Sequence, residues 1–449
     1  MIRARRRRFA RGIRALTSRS GEPRRTGRWF LLAATTGLWF TRQATRPVPL
    51  PKRRAIPSFF AGWLTSELVP HHLLWQSVAT GLFVRKGALA SREGRAALSV
   101  VGLQWALMAG LLRNALRAPS VTEAALRDAL GDDYRQELPG SSESWDRLRV
   151  GGLAIPFYNP HPGVRRERNL TYARVAAHDL KMDVFAPEVA GERRPAIIYV
   201  HGGGWTLGFR DRQGGPLLTE MAARGWVGFL PGYRLSPTAT YPDHLVDVKR
   251  AIAWVREHAD AYGVDPDHIA IAGGSAGGHL AAMAALTPND PELQPGFESA
   301  DTSVQACVPL YGVYDVGEHV EGLIDDFEAY LARFVVKADF DEDPEAWDRF
   351  RPVANLTSDA PPFLVIHGDQ DTLTSPGEAR RFAGSLREVS RAPVAYVELP
   401  GCQHAFDVFP SVRTAHVLRG VARFLAVTRE RARRWRVDSS AGDASAGTA

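Results

Sequence analysis

Cysteine is almost missing from this chain: its 449 residues contain two, Cys307 and Cys402. That excludes a disulfide framework and favours a reducing compartment, so stability has to come from a buried core. With 45% hydrophobic residues, the chain is long enough for one large domain and an additional module. Phosphate-cradling motifs are missing too. No G-K-[ST] occurs and no G-x-G-x-x-G opens a first strand–helix unit, which removes the nucleotide-binding readings. No internal repeat is present. Acidic residues are scarce at one end, where residues 1–54 carry sixteen Arg or Lys against the single acid Glu22. The formal charge of +7 therefore belongs to an amino-terminal appendage, and the remainder is net acidic.

What the chain has in abundance is glycine placed beside short apolar runs. In "HIAIAGGSAGGHL" the run 269–272 has the unbroken apolar character of a strand buried on both faces, and the small residues after Ser275 read as a helix. Gly273-Gly274-Ser275-Ala276-Gly277 fits G-x-S-x-G, a sharp strand-to-helix turn that projects a nucleophilic hydroxyl. A serine needs a base to remove its proton and donors to hold the oxyanion that follows. Upstream, a predicted strand at 196–200 runs into His201-Gly202-Gly203-Gly204-Trp205, a loop whose backbone N–H groups can serve an oxyanion together with that of Ala276. Downstream, a strand at 363–367 is followed by a turn with Asp369 and Asp371, and the strand in "VAYVELPGCQHAF" by a loop with His404. Open parallel sheets gather catalytic groups at the carboxyl ends of their strands. The order serine, acid, histidine is that of α/β-hydrolases. The residues themselves leave Asp369 and Asp371 both open as the acid.

With "HGGGW", "YRLSP", "GGSAGG", "HGDQD" and "GCQHAF" in view, residues 166–430 resemble the hormone-sensitive-lipase-like family of bacterial esterases and lipases. The resemblance implies an α/β-hydrolase fold, a mostly parallel central sheet with helices on both faces. It also implies nucleophile Ser275, base His404, acid Asp371 with Asp369 stabilising the turn, and oxyanion donors Gly202, Gly203, Gly204 and Ala276. The chain departs from the family at Gly274, a position often acidic there, and in lacking the frequent D-P-L form of the acid motif. The reaction implied is hydrolysis of carboxylic esters through an acyl-enzyme, without metal or organic cofactor. An amidase such as an arylformamidase, or an acyltransferase, is the alternative on this fold. A non-catalytic binding protein is disfavoured because all three triad residue types are present.

The appendage reads as an Arg-rich tail (1–28) followed by an apolar helical module (29–117). A linker leading into the fold (118–165) follows, and a small, polar tail (431–449) expected to be disordered ends the chain. The uncharged stretch 29–41 is about 20 Å long as a helix, stretch 55–84 is interrupted by Glu67, Pro70, His71 and His72, and stretch 96–112 has 17 residues, the lower limit for a span. Arg or Lys flank each stretch on both sides, a symmetry that favours helices lying in the membrane interface or dipping in and returning. Trp29, Trp39, Trp63, Trp75 and Trp105 suit the headgroup boundary. A helical cap over the catalytic domain is the competing reading. The partners expected are an ester substrate and a membrane surface on its cytoplasmic face, with no nucleic acid. The acidic segment 318–345 reads as a helical insertion with a solvated face.

Overall fold

The computed structural model describes residues 2–48, 55–140, 142–146, 151–157, 161–176, 178–208, 210–316 and 325–446. The chain divides into two compact units: a helical unit up to Ala115, and a second unit comprising 116–449 with 49–51.

The second unit is built on an eight-stranded sheet. Its strands are β1 (Val164–Val175), β2 (His178–Pro187), β3 (Arg194–Val200), β4 (Val227–Pro231), β5 (Val264–Gly274), β6 (Ala306–Leu310), β7 (Phe363–Gly368) and β8 (Val394–Leu399). Their order is β1-β2-β4-β3-β5-β6-β7-β8. Only β1/β2 and β2/β4 pair antiparallel; the other pairings are parallel. The apolar runs are unbroken because both sheet faces are covered. Alternation then sends Ile198, Val200, Ile269, Ile271 and Val365 into one core and Ile197, Tyr199, Ala270, Ala272, Leu364 and Ile366 into the other.

The helical unit holds α1 (Ile2–Thr45), α2 (Ala55–Glu67), α3 (Val69–Arg85) and α4 (Arg92–Ala115). Helices of the second unit follow: α5 (Ala118–Leu130), α6 (Gly215–Ala222), α7 (Asp243–Glu257), α8 (Ala276–Leu286), α9 (Asp325–Tyr330), α10 (Pro344–Phe350), α11 (Pro376–Val389) and α12 (Val412–Ala446). Side chains of α7, α8, α10 and α11 fill the first core, and those of α5, α6 and α12 the second.

Three sequence expectations need correction. The stretch 118–165 is not all linker, since α5 is a buried-faced helix of the second unit. Its Glu123 accepts from Tyr134 Oη (2.8 Å), Arg135 (2.8 Å) and Arg423 of α12 (3.1 Å). Burial opposes ionisation there, but the hydrogen bonds from Arg135, Tyr134 and Arg127 prevail and lower its pKa to about 2. The carboxyl-terminal stretch from 431 is not a disordered tail: α12 runs through it to Ala446. Arg431 bonds Glu137 at 2.7 Å and Arg436 reaches Asp267 at 3.2 Å, contacts that sequence periodicity does not show. The Arg-rich tail is not separate from the first apolar stretch either, because arginine is a good helix former and α1 includes both. The insertion 318–345 supplies α9 and the start of α10, while its portion at 318–324 lies outside the described residues.

Candidate active site

Ser275 sits between β5 and α8 at φ +58°, ψ −124°, a conformation costly for any residue with a Cβ. Its neighbours make it possible. A Cβ on Gly273 would strike the Gly277 carbonyl, and one on Gly277 would strike the carbonyls of Val200 and His201. The turn is pinned by Ser275 N–H to Leu310 O at 3.0 Å. Ala276 opens α8, so its N–H lacks an intrahelical acceptor and lies at the positive end of the helix dipole.

The loop after β3 takes positive φ at Gly203 (+128°), Gly204 (+59°) and Trp205 (+60°). Among the described residues, no acceptor meets the N–H of Gly203, Gly204 or Ala276. Gly202 differs: its N–H is already given to Gln213 Oε1 at 2.7 Å, which removes it from the set of free donors. The absence of a side chain still matters at Gly202, where a Cβ would lie 2.6 Å from the Gly274 carbonyl and 3.0 Å from Ser275 Cβ. His201 stacks on Tyr233 with centroids 4.4 Å apart, and burial lowers its pKa to about 4, so it stays neutral.

The two aspartates separate cleanly. Asp371 Oδ2 lies 2.7 Å from His404 Nδ1, and Oδ1 accepts the N–H groups of Leu373 (2.8 Å) and Thr374 (3.0 Å). Asp369 Oδ1 instead accepts Gly401 N–H at 2.7 Å, tying down the loop that carries His404. Burial would raise the pKa of Asp371, but charge on His404 and the hydrogen bonds from His367 and His404 outweigh it and hold the carboxyl far below its ordinary range. His404 is itself buried, and its backbone N–H bonds Gln403 Oε1 at 2.9 Å. The arrangement can hold His404 in the tautomer that carries hydrogen on Nδ1, leaving Nε2 as an acceptor. Among the described residues, no group of three His, Cys, Asp or Glu is placed to hold a metal ion.

Comparison with known proteins identifies the chain's relatives. The family model described as BD-FAE matches residues 182–386. Esterase LipQ of Mycobacterium tuberculosis is 39% identical over 82% of this chain and 83% of its own. The probable carboxylic ester hydrolase LipM of the same organism is 39% identical over 88% and 92%. The chain belongs to the hormone-sensitive-lipase-like family of bacterial esterases. A truncated carbohydrate esterase from gut microbiota, 24% identical, superposes with a TM-score of 0.50 over 61% of this chain and 98% of its own, a likeness of fold alone.

Within this esterase fold, the structure brings five further residues to the site. His367 Nε2 lies 3.3 Å from Asp371 Oδ2, so the carboxylate is flanked by two histidines. Asp407, fully buried, accepts from Tyr199 Oη (3.0 Å) and from Tyr311 Oη, and the Tyr311 ring packs 4.5 Å from that of His404. These two phenols occupy the space beside Gly274: a Cβ there would lie 2.6 Å and 2.9 Å from them. The carboxylate those phenols meet, that of Asp407, comes from another loop. Tyr330, the last residue of α9, donates to Gly204 O at 2.7 Å and shares a hydrogen bond with Thr206 Oγ1 at 2.7 Å. His367 opens the "HGDQD" motif and Asp407 directly follows "GCQHAF", whereas nothing in the sequence connects Tyr330 to a loop 126 residues away.

Proposed function

We propose that this esterase is a serine carboxylesterase that works by two-step acyl transfer. Ser275 attacks the ester carbonyl while His404, oriented by Asp371, takes its proton and delivers it to the leaving alcohol. Water then attacks the acyl-enzyme with the same histidine as base. Gly203, Gly204 and Ala276 donate to the oxyanion. The observation that carries this reading is the 2.7 Å bond from Asp371 to His404, on loops following adjacent strands of a sheet whose central strand ends at the Ser275 turn. The names of LipQ and LipM support the ester as substrate class. We further propose that the helical unit holds the enzyme at a membrane, supported by exposed Trp29, Trp39, Trp75 and Leu74. A panel of p-nitrophenyl esters of increasing acyl length, run beside an arylformamide, tests the reaction class. Hydrolysis of the esters, lost by several orders of magnitude in Ser275→Ala, is the expected result. Equal turnover by wild type and variant, or activity on the formamide alone, overturns it.

A further inference from the structure

The helical unit buries polar side chains among its apolar clusters and leaves its outside uncharged. The inside contains Gln104 packed against Gly37, Gln76 accepting from Trp105 Nε1 at 3.2 Å, and Thr41, all buried. On the outside, between Arg28 and Arg42 of α1, across 69–84 of α3 and between Arg95 and Arg113 of α4, twenty-three positions are exposed and none is charged. A soluble surface of that size, roughly a quarter to a third charged, would carry about six charges.

The packing also brings the charged ends of the three helices to common levels. Phe30, Phe83, Ala97 and Val101 share one cluster, and Ala44, Val69, Met108 and Leu111 another. Helices α1 and α4 therefore run the same way and α3 runs back. Arg24, Arg28, Arg85, Lys86, Arg92 and Arg95 gather at the first level, where Glu93 pairs with Arg24 at 3.4 Å. Arg42, Arg46 and Arg113 gather at the second. The uncharged runs between the levels are about 20, 24 and 26 Å long at a helical rise of about 1.5 Å per residue. Arginine and lysine stems reaching outward extend such runs toward the roughly 30 Å of a hydrocarbon core.

We propose that this unit is not a surface anchor but a bilayer-spanning bundle in which α1, α3 and α4 each cross, with polar side chains facing one another and apolar ones facing lipid. The inference deepens the membrane association proposed above and rests on it. Helix by helix, the flanking charges are symmetric; level by level, they are not. The first level and the chain before it carry fifteen Arg or Lys, eleven of them in residues 1–28, against seven on the second level with its connections. Positive charge stays on the cytoplasmic side, so the amino terminus is cytoplasmic. Three crossings then place everything after α4, including Ser275, on the opposite side, the reverse of the cytoplasmic face expected from the sequence.

The test uses the full chain in bacterial membranes. Both native cysteines are buried, so an introduced cysteine reports alone to a membrane-impermeant maleimide. In intact spheroplasts the V189C variant, at a position 77% exposed in the catalytic unit, should label, and S20C should label only after lysis. Val78→Arg, at an outward position 57% exposed, should lower the carbonate-resistant membrane fraction at least tenfold, where a soluble surface would accept it unchanged. Turnover of p-nitrophenyl butyrate is followed in every fraction as the control for folding. Release of active wild type by carbonate, or both cysteines shielded until lysis, overturns the spanning bundle and leaves surface association standing. An active chain soluble without detergent, as a monomer or as a dimer covering this face, overturns both.

Discussion

Replacing Asp371 by Asn changes one atom at the position where the account is most exposed. The carboxylate Oδ1 accepts two backbone N–H groups, from Leu373 and Thr374, while Oδ2 faces His404 Nδ1, Thr374 Oγ1 (3.0 Å) and His367 Nε2. An asparagine has to turn its NH2 toward one of these sets. Facing the backbone, it would leave two buried donors unpaired, at about 1 to 3 kcal/mol each. The amide oxygen therefore stays on Leu373 and Thr374, and the NH2 points at His404 Nδ1. That nitrogen must then accept, the ring proton moves to Nε2, and the base can no longer take the proton of Ser275. A triad held in the wrong tautomer loses roughly 10^4 in kcat, or about 5.5 kcal/mol of barrier. Asp369→Asn touches the backbone N–H groups of Gly401 and Cys402 and not the His404 ring, and its kcat should stay within about tenfold of wild type. Steady-state hydrolysis of p-nitrophenyl butyrate by both variants, each checked for its thermal midpoint, decides the matter. A kcat within tenfold of wild type for Asp371→Asn, with a collapse for Asp369→Asn, would refute the assignment.

Tyr330→Phe removes the hydroxyl that holds the Gly204 carbonyl. A bond of about 1 kcal/mol predicts a roughly fivefold fall in kcat with KM nearly unchanged, read from the same assay, and a loss confined to KM would contradict it. Gly274→Asp, which restores the acid common at that position, should lower the melting midpoint because the new side chain displaces Tyr199 and Tyr311 and adds a carboxylate beside Asp407. The double variant with Asp407→Asn should recover part of the loss in a thermal double-mutant cycle. Burial lowers the pKa of His201 and His244 to about 4 and of His268 and His279 to about 3, so each binds a proton more readily when unfolded and stability should climb from about pH 3 to 6.5. Burial raises Glu378 to about 8, so that group is neutral when folded below this value and its contribution falls as pH rises from its ordinary range toward 8. Glu378→Gln should remove this fall between the ordinary carboxylate range and about pH 8 in the melting profile, and an unchanged slope there would contradict this.

The parts of the site legible in the sequence are those set by backbone fit. Gly273 and Gly277 are required by close backbone contacts around one strand–turn–helix, and β3, β5 and β7 announce themselves because a doubly covered sheet favours apolar residues at their centres. The choice between Asp369 and Asp371 was not physical at the sequence level. Two residues of one turn differ only in which neighbour each meets, Gly401 or His404. Gly202 reads as an oxyanion donor because the three glycines look alike in sequence, and Gln213, eleven residues on, distinguishes it. The partners of Tyr330 and Asp407 depend on tertiary packing and leave no periodic trace. The helical module could be read as apolar and cation-flanked, but which faces are outward, and which charges share a level, follow from how α1, α3 and α4 pair.

The central claim is that one hydroxyl, that of Ser275, carries the acyl group. Reaction of the full-length protein with a fluorophosphonate ester, followed by mass analysis of the proteolytic fragment spanning β5 and α8, tests it most directly. A single stoichiometric adduct on Ser275 is expected; it abolishes ester hydrolysis, forms at least a thousandfold more slowly when His404 is replaced by Ala, and is absent from Ser275→Ala. An adduct on another residue accompanied by loss of activity, or full hydrolysis by a quantitatively labelled Ser275, would contradict it.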